Sequence, residues 1–273
     1  MRWSLGTVVG CWLICMLAPA GAQQPSSGRL TMTGSSTMAP LMLEIAKAFE
    51  NKHPKVRIDV QTGGSSRGVG DARSGLAHIG MASRALYDTE KDLIGTVVAR
   101  DGICIIVHKS NPVSHLTDAQ IAGIFTGRIS DWKDAGGKAG GITVVNKAEG
   151  RSTLDLFLSH FKLKNSDIKA SVVIGDNQQG VKTVVGNPGA IGYVSIGTAE
   201  FEALQGTAIK LLAVGGVRPS TGTVMDGSFP LSRPLTLVTK TKPEGLVKDF
   251  IDFARSRAAI PLVREQFFVP LEN

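Results

Sequence analysis

Cysteine is scarce in this sequence, with three residues in a chain of 273. Cys11 and Cys15 lie in the apolar N-terminal segment, and Cys104 stands alone in a second apolar stretch, residues 103–107. A single cysteine in the remainder of the chain cannot form an internal disulfide. A fold stabilised by disulfides is therefore excluded. We expect a buried, inert thiol at Cys104.

Aromatic residues are also few, at 5% of the chain, whereas the formal net charge is +7. A basic chain attracts polyanions such as nucleic acid, but here the basic residues are scattered and few aromatic side chains are present. We therefore expect no nucleic acid partner. The positive charge favours the attraction of small anions instead.

Motifs for metals and nucleotides are missing as well. The five histidines are dispersed, with no H-x-H or H-x-x-x-H pair, which disfavours a metal-dependent phosphatase. Lys138 follows two glycines but precedes an alanine, so the chain has no P-loop. The sequence therefore predicts no cofactor, no metal site and no catalytic residue.

The N-terminus has the features of an export signal. Residues 1–22 carry a single charge at Arg2, run apolar over residues 5–17 and end on residues 20–22 (AGA). This pattern is typical of a secretory signal peptide that is cleaved before Gln23. The apolar run is shorter than the roughly 20 residues that a spanning helix needs. We expect a periplasmic protein rather than a membrane-anchored one.

The rest of the sequence alternates between strand and helix patterns. Strands are predicted at residues 29–35, 56–61, 78–83, 100–107, 142–146, 190–195 and 235–239. Helical stripes are formed by Leu41, Ile45 and Phe49, by Val69, Ala72 and Leu76, by Leu154, Phe157 and Phe161, and by a late helix over 244–255. This alternation predicts an α/β fold in which mostly parallel sheets are flanked by helices. The chain has no long flexible linker, which favours two lobes joined by crossing strands.

Three clusters of glycine and hydroxyl residues each follow a strand and open a helix, at residues 34–37 (GSST), 63–68 (GGSSRG) and 149–153 (EGRST). A helix N-terminus offers unpaired N–H groups and a partial positive charge, so it can bind an anion. Serine and threonine are also ordinary helix caps, and one such cluster alone is weak evidence. Three clusters at the carboxyl edge of a sheet, with Ser83 and Arg84 after a further strand, predict an oxyanion site.

Several stretches resemble the Pst-type phosphate-binding proteins, the periplasmic substrate-binding components of phosphate ABC transporters. The matching stretches are residues 33–40 (TGSSTMAP), 63–68 (GGSSRG), 79–84 (IGMASR), 111–113 (NPV), 124–127 (IFTG), 189–195 (GAIGYVS) and 230–235 (PLSRPL). They occur in the family's order and span nearly the whole chain after the signal segment. The resemblance is therefore specific.

The resemblance implies a two-lobe type II periplasmic binding protein fold with a hinge of two crossing strands. One lobe would comprise residues 23–101 and 233–273, and the other residues 102–232. The implied function is the capture of inorganic phosphate, or a similar tetrahedral oxyanion, in the cleft between the lobes. The protein would be a monomer that delivers the anion to an inner-membrane ABC permease, and not an enzyme.

The clusters and the resemblance together predict the residues of the anion site. They are Ser36, Thr37, Met38, Ser65, Ser66, Ser83, Arg84, Gly150, Arg151, Ser152 and Thr153. The family's last loop usually reads Gly-Ser-Gly-Thr, so Arg151 adds a guanidinium that can bind an oxyanion bidentately. Some relatives have an aspartate in place of Ser83, which accepts the proton of hydrogen phosphate. Phosphate and sulfate therefore both stay open as ligands, and so do roles in the cleft for Arg67, Lys147 and Glu149.

Two other functions stay open at this point. Residues 64–68 (GSSRG) match the G-x-S-x-G motif of serine hydrolases, with Ser66 as the nucleophile. However, only two strands precede the motif, and no histidine follows His160. A periplasmic sensor subunit that reports an anion to a membrane partner would use the same cleft as a transport protein, and the sequence does not separate the two roles.

The signal pattern gives a direct prediction. The mature protein should begin at or near Gln23, because the small residues at positions 20–22 form the cleavage site. Mass spectrometry of a periplasmic extract should detect this N-terminus. An intact N-terminus in the membrane fraction would contradict the prediction.

Overall fold

The structure is a computed structural model that describes residues 27–271. Within these residues the chain forms ten strands and nine α-helices. The strands are β1 (Gly28–Gly34), β2 (Val56–Thr62), β3 (Ile79–Ala82), β4 (Ile94–His108), β5 (Thr143–Lys147), β6 (Val172–Ile174), β7 (Ala190–Ser195), β8 (Ile209–Leu212), β9 (Ser232–Thr239) and β10 (Val269–Pro270). The helices are α1 (Ala39–Lys52), α2 (Ser65–Ser74), α3 (Asp118–Phe125), α4 (Ser152–Phe161), α5 (Asn177–Gly186), α6 (Ile196–Leu204), α7 (Thr221–Met225), α8 (Gly245–Arg255) and α9 (Ile260–Glu265). The predicted signal peptide, residues 1–22, lies outside the described residues.

The first two helices show how the sequence pattern determines the local structure. In α1, a proline in the first turn needs no N–H partner, and Leu41, Ile45 and Phe49 lie on the buried face, as predicted. In α2, the predicted stripe is wrong at its last position. The helix ends at Ser74 because Gly75 adopts a left-handed conformation, and Leu76 is 75% exposed.

The strands form a mixed sheet in the order β2-β1-β3-β9-β4-β7-β5-β6, and β8 and β10 also pair with β4. The pairs β1–β2, β1–β3, β5–β6 and β5–β7 are parallel. Every pairing of β4 and β9 is antiparallel. The α/β fold is confirmed, with parallel outer parts and an antiparallel centre. Parallel neighbours need crossover connections, and α1 and α2 provide these between the first three strands.

β4 and β9 join the two sides of the molecule. The first half of β4 pairs with β9 and β10, and its second half pairs with β7 and β8. In the register of β4 and β9, Asp101 lies opposite Arg233. Side chains directly opposite each other in an antiparallel pair lie on the same face, so this register places the two charges together.

The apolar side chains form two large clusters, one on each side of this pair. One cluster draws its buried residues from positions 103–231 together with Val269. The other draws them from positions 30–99 and 235–268. We call the cluster from positions 30–99 and 235–268 the first core, and the cluster from positions 103–231 the second core. Cys104 is buried in the second core, and burial raises the pKa of its thiol. No helix within residues 27–271 is long and apolar enough to cross a membrane.

Helix α2 lies unusually close to β1 and β3, which generates a stability prediction. A Cβ at Gly68 would lie 2.6 Å from the Thr33 carbonyl oxygen and 2.8 Å from the Cα of Gly34. Gly68→Ala should therefore lower the free energy of unfolding by about 1–3 kcal/mol, the usual cost of overpacking. Gly70 in the same helix has no atom within 4 Å of such a Cβ. Gly70→Ala should raise stability by up to about 1 kcal/mol. Urea denaturation of both variants tests this, and equal effects would contradict it.

Candidate functional site

Four helices begin at one place between the two cores. The N-terminal residues of α2 and α4 are joined by a hydrogen bond between the hydroxyls of Ser65 and Ser152 (2.9 Å). Asn177, the first residue of α5, donates from Nδ2 to Oγ1 of Thr37, which lies just before α1 (3.1 Å). The partial positive charge of all four helix N-termini is therefore directed to this region.

Four buried serines form a connected chain of hydroxyl groups. Ser35 Oγ donates to Ser83 Oγ (3.0 Å), Ser83 Oγ lies 2.6 Å from Ser152 Oγ, and Ser152 bonds Ser65. The backbone N–H of Ser83 also donates to Ser65 Oγ (3.2 Å). Each serine is at most 2% exposed. Hydroxyl groups from four separate segments, at the ends of β1 and β3 and the starts of α2 and α4, therefore meet in one cluster.

Arg233 connects the two threonines that flank this cluster. Its Nη1 donates to Oγ1 of Thr153 (3.0 Å), and its Nη2 donates to Oγ1 of Thr37 (3.2 Å). Arg233 is 4% exposed, and both threonines are equally well buried. A single guanidinium thus bonds hydroxyls at the starts of α1 and α4.

Asp101 holds Arg233 in place. Oδ2 of Asp101 accepts from Nε (3.2 Å) and from Nη2 (2.9 Å) of the guanidinium. Oδ1 accepts from the Ser195 hydroxyl (3.0 Å) and from the Gly197 N–H (3.5 Å). All the strong acceptor positions of this buried carboxylate are therefore used within the protein.

Lys147 is a second buried cation at the site. Its Nζ donates to the Asp176 carbonyl oxygen (2.6 Å) and to Oδ1 of Asn177 (3.1 Å), and the residue is 2% exposed. The pKa of Lys147 is lowered to about 7, chiefly by burial and also by the nearby charges of Arg233 and Arg151, whereas Asp176 opposes the shift. The Lys147 bond orients the amide of Asn177, so that Nδ2 faces Thr37.

Most of the residues predicted from the sequence lie at this cluster. Ser65, Ser83, Ser152, Thr37 and Thr153 carry hydroxyls of the network described above. The N–H of Met38 donates to Ser35 Oγ (3.3 Å), and the N–H of Ser66 donates to the Gly150 carbonyl oxygen (3.2 Å). Ser36 lies partly buried in the turn before α1.

Arg84 has a partner of its own. Its two terminal nitrogens donate to the two carboxylate oxygens of Glu90 at 2.7 and 2.8 Å, and its guanidinium stacks 3.7 Å from the centre of the Tyr87 ring. Burial lowers the pKa of Arg84, but the hydrogen bond with Glu90 and the charges of neighbouring acidic groups together raise it above its ordinary value. This bidentate pair holds the two terminal nitrogens of Arg84 at Glu90, and its buried Nε has no hydrogen-bond partner among the described residues.

Arg151 packs across the gap between the two cores. A Cβ at Gly64 would lie 2.5 Å from Nη1 of Arg151 and 2.6 Å from the Gly150 carbonyl oxygen. Gly64 therefore allows the loop before α4 to approach the start of α2. Nε of Arg151 is buried and has no hydrogen-bond partner among the described residues.

Glu149 and Arg67 point away from the cluster. Glu149 is exposed and accepts a hydrogen bond from Nδ2 of Asn165 (2.9 Å). Arg67 is exposed and pairs with Asp71 one helical turn later (3.2 Å).

A cavity of about 310 Å³ borders the cluster near Ser83, Ser152 and Arg233.

Within residues 27–271 the structure shows no group of three or more histidine, cysteine, aspartate or glutamate side chains that could hold a metal ion. Ser66 is exposed, and the histidine hydrogen bonds found in this part of the chain involve Thr31, Ser110, Ser114 and Asp118. None of these bonds involves Ser66, so the pairing of Ser66 with a histidine that the hydrolase motif requires is not formed among the described residues.

Arg233, Asp101, Asn177 and Ser35 were not among the residues that the sequence predicted for the site. Arg233 lies in a stretch quoted for the resemblance, but no pattern assigns it a role, and its partner Asp101 is 132 positions away. Asn177 follows an aspartate N-cap, which signals the start of a helix and could have revealed it. Ser35 lies inside the first predicted cluster, next to the residues that were chosen.

Comparisons with known proteins show similarity over most of the chain. A family model described as a PBP superfamily domain matches residues 19–258. The phosphate-binding protein PstS of Bacillus subtilis (strain 168) is 31% identical over 260 residues, which cover 93% of this chain and 84% of that protein. An X-ray structure from Clostridium perfringens that holds bound phosphate has 33% identity and a TM-score of 0.83, covering 90% of this chain and 100% of that one. An ABC-type phosphate transport receptor from Vibrio cholerae has 29% identity and a TM-score of 0.73, covering 89% and 100% of the two chains.

The buried Lys147 predicts a specific pH dependence of stability. Its pKa is about 7 in the folded protein, against 10.5 ordinarily. Between these values the unfolded chain binds a proton that the folded chain has released, so the free energy of unfolding rises with pH. The slope from this group is at most about 1.4 kcal/mol per pH unit.

Urea denaturation between pH 7 and 9.5 in anion-free buffer measures the effect. Lys147→Met should lose the part of the pH slope that comes from Lys147, because methionine has a side chain of similar length but no titrating group. Lys91→Met, a change at an exposed ion pair with Asp88, should keep it. Equal slopes in wild type and Lys147→Met would contradict the prediction.

Proposed function

The chain belongs to the PBP superfamily and within it to the Pst-type phosphate-binding proteins, and we propose that it captures inorganic phosphate for delivery to an ABC transporter. The observation that carries this function is the convergence of buried hydroxyl groups at four helix N-termini. An oxyanion accepts hydrogen bonds, and this region offers hydroxyl and N–H donors in a positive field.

The proposed binding site joins the two sides of the molecule. It comprises Ser35, Ser36, Thr37, Met38, Ser65, Ser66, Ser83, Gly150, Arg151, Ser152 and Thr153. Arg84 is left out because Glu90 occupies both of its terminal nitrogens. Arg151 adds positive charge beside the hydroxyls, and its unpartnered Nε is a donor that an anion oxygen can satisfy.

We propose that the two cores correspond to the two lobes of the fold, with boundaries near residues 101 and 232. The bonds between Ser65 and Ser152 and between Tyr87 and Asp155 (3.0 Å) then join the lobes in the closed form. An anion bound between the lobes would favour this form, as in other hinge proteins. The protein acts as a monomer in the periplasm and passes the anion to an inner-membrane permease.

The structure also supports a proposal about selectivity. Three carboxylates around the proposed site accept hydrogen bonds within the protein: Asp101 from Arg233, Glu149 from Asn165, and Asp155, which lines the adjoining cavity, from Tyr87. Serine hydroxyls can donate or accept, so they suit a protonated and an unprotonated anion alike. Sulfate should therefore compete with phosphate.

Calorimetry on anion-stripped protein with phosphate and with sulfate tests both proposals. We expect phosphate to bind and sulfate to compete measurably. Ser83→Asp should weaken sulfate at least about tenfold, because a buried carboxylate facing an acceptor-only anion is costly. Phosphate should be affected less, since its proton can donate to the new carboxylate.

Glu149→Gln is the control and should leave the ratio of the two affinities unchanged, because Glu149 faces Asn165. The absence of phosphate binding at millimolar concentration, together with binding of another solute, would overturn the proposed function. If the wild type bound phosphate and excluded sulfate, only the proposal about selectivity would be overturned.

A further inference from the structure

We propose that Arg233, held by Asp101, is a positioning residue that makes the hydroxyls of Thr37 and Thr153 hydrogen-bond donors toward the anion. The inference rests on the proposed function, since it concerns the same site. It assigns roles to Arg233, Asp101 and Asn177, which form the hydrogen-bond network that ends on the two threonine hydroxyls.

The position of the guanidinium is determined by the sheet. Asp101 and Arg233 are register partners on β4 and β9, and Asp101 is fixed in turn by Ser195 and the N–H of Gly197. Both charged side chains are at most 4% exposed. A buried charge that loses its partner is strongly unfavourable, so Arg233 stays against Asp101.

The guanidinium imposes a direction on both threonine hydroxyls. Arginine only donates hydrogen bonds, so the oxygen of each threonine must be the acceptor. The hydroxyl hydrogen of Thr153 then points away from Arg233. The same holds for Thr37 on the other side of the site.

Thr37 is constrained by two donors. Its Oγ1 accepts from Nη2 of Arg233 (3.2 Å) and from Nδ2 of Asn177 (3.1 Å). A hydroxyl oxygen has two lone pairs, so both are used and the hydroxyl hydrogen must donate elsewhere. Asn177 cannot reverse its amide without loss, because Lys147 donates to its Oδ1.

An oxyanion is the acceptor that this arrangement suits. Donors that are already oriented need no reorganisation when the anion enters, which strengthens binding relative to freely rotating hydroxyls. Lysine cannot replace arginine in this role. Its single ammonium nitrogen cannot bond Asp101 and two separate threonines with the geometry of a planar guanidinium.

Double-mutant cycles measured by calorimetry with inorganic phosphate test the proposal. Arg233→Lys and Thr153→Val should each weaken phosphate binding about tenfold, the cost of losing one charged hydrogen bond. The double variant should be weakened less than the hundredfold that independent effects would give, because part of the effect of Arg233 acts through the Thr153 hydroxyl. Thr153→Ser should restore the affinity, since it keeps the hydroxyl.

Arg73→Lys is the control for the arginine-to-lysine change. Arg73 forms an exposed ion pair with Asp92, and its substitution should leave phosphate affinity unchanged. Additive losses in the cycle, or a Thr153→Ser variant as weak as Thr153→Val, would overturn the proposal while phosphate binding itself stands. Absence of phosphate binding in the wild type would overturn both.

A second cycle does not depend on the folding of Arg233→Lys. Asn177→Asp keeps the shape and the bond with Lys147 but turns the donor to Thr37 into an acceptor. Asn177→Asp should reduce phosphate affinity less in a Thr37→Val background, because valine has no hydroxyl that could donate to the new carboxylate and away from the anion. Repulsion between the new carboxylate and phosphate would persist in the Thr37→Val background. An equal loss of phosphate affinity in both backgrounds would therefore contradict the proposed role of Asn177.

Discussion

The antiparallel register of β4 and β9 is the constraint on which the rest of the site depends. It sets Asp101 opposite Arg233 at the boundary between the two cores, where both charges are almost completely buried. Removing one partner of such a pair typically costs about 3–5 kcal/mol, because the other charge is left without compensation. The pair is therefore a fixed point of the fold. From this point the guanidinium reaches Thr37 on one side and Thr153 on the other, so one strand register places donors for two loops that are far apart in sequence.

The serine chain follows a different physical rule. Buried hydroxyls are costly without partners, and here they serve as partners for one another, from Ser35 through Ser83 and Ser152 to Ser65. In the bonds that link Ser83, Ser152 and Ser65, either hydroxyl can be the donor, whereas the threonine oxygens must accept from Arg233. The site thus combines donors of fixed direction with hydroxyls of adjustable direction. A carboxylate in place of Ser83 would replace that adaptability with a preference for a protonated anion.

The sequence predicted the parts of the site that arise from local patterns. Hydroxyl clusters before α1, α2 and α4 were recognised because glycine, serine and threonine mark a strand-to-helix turn within a few residues. The pair of Asp101 and Arg233 was not predicted, since only the register of two distant strands brings it together. Arg84 is a different case. Its position beside Ser83 in the sequence suggested a ligand contact, but in the structure it pairs with Glu90, six residues later. The short strands β6 and β8 were missed because three or four residues carry too little periodicity.

The contacts between the two cores are compatible with the proposed opening and closing of the site. Those at the site are polar: Ser65 with Ser152, Ser66 with Gly150, Tyr87 with Asp155, and Asn177 with Thr37. Each such hydrogen bond contributes only about 0.5–1.5 kcal/mol net, because water replaces it when the contact separates. The apolar clusters, which contribute most to stability, are divided between the two sides and need not be disrupted. In the proposed hinge motion, a set of weak, exchangeable bonds would leave the open and closed forms close in free energy. An anion that adds several charge-assisted bonds can then decide between them.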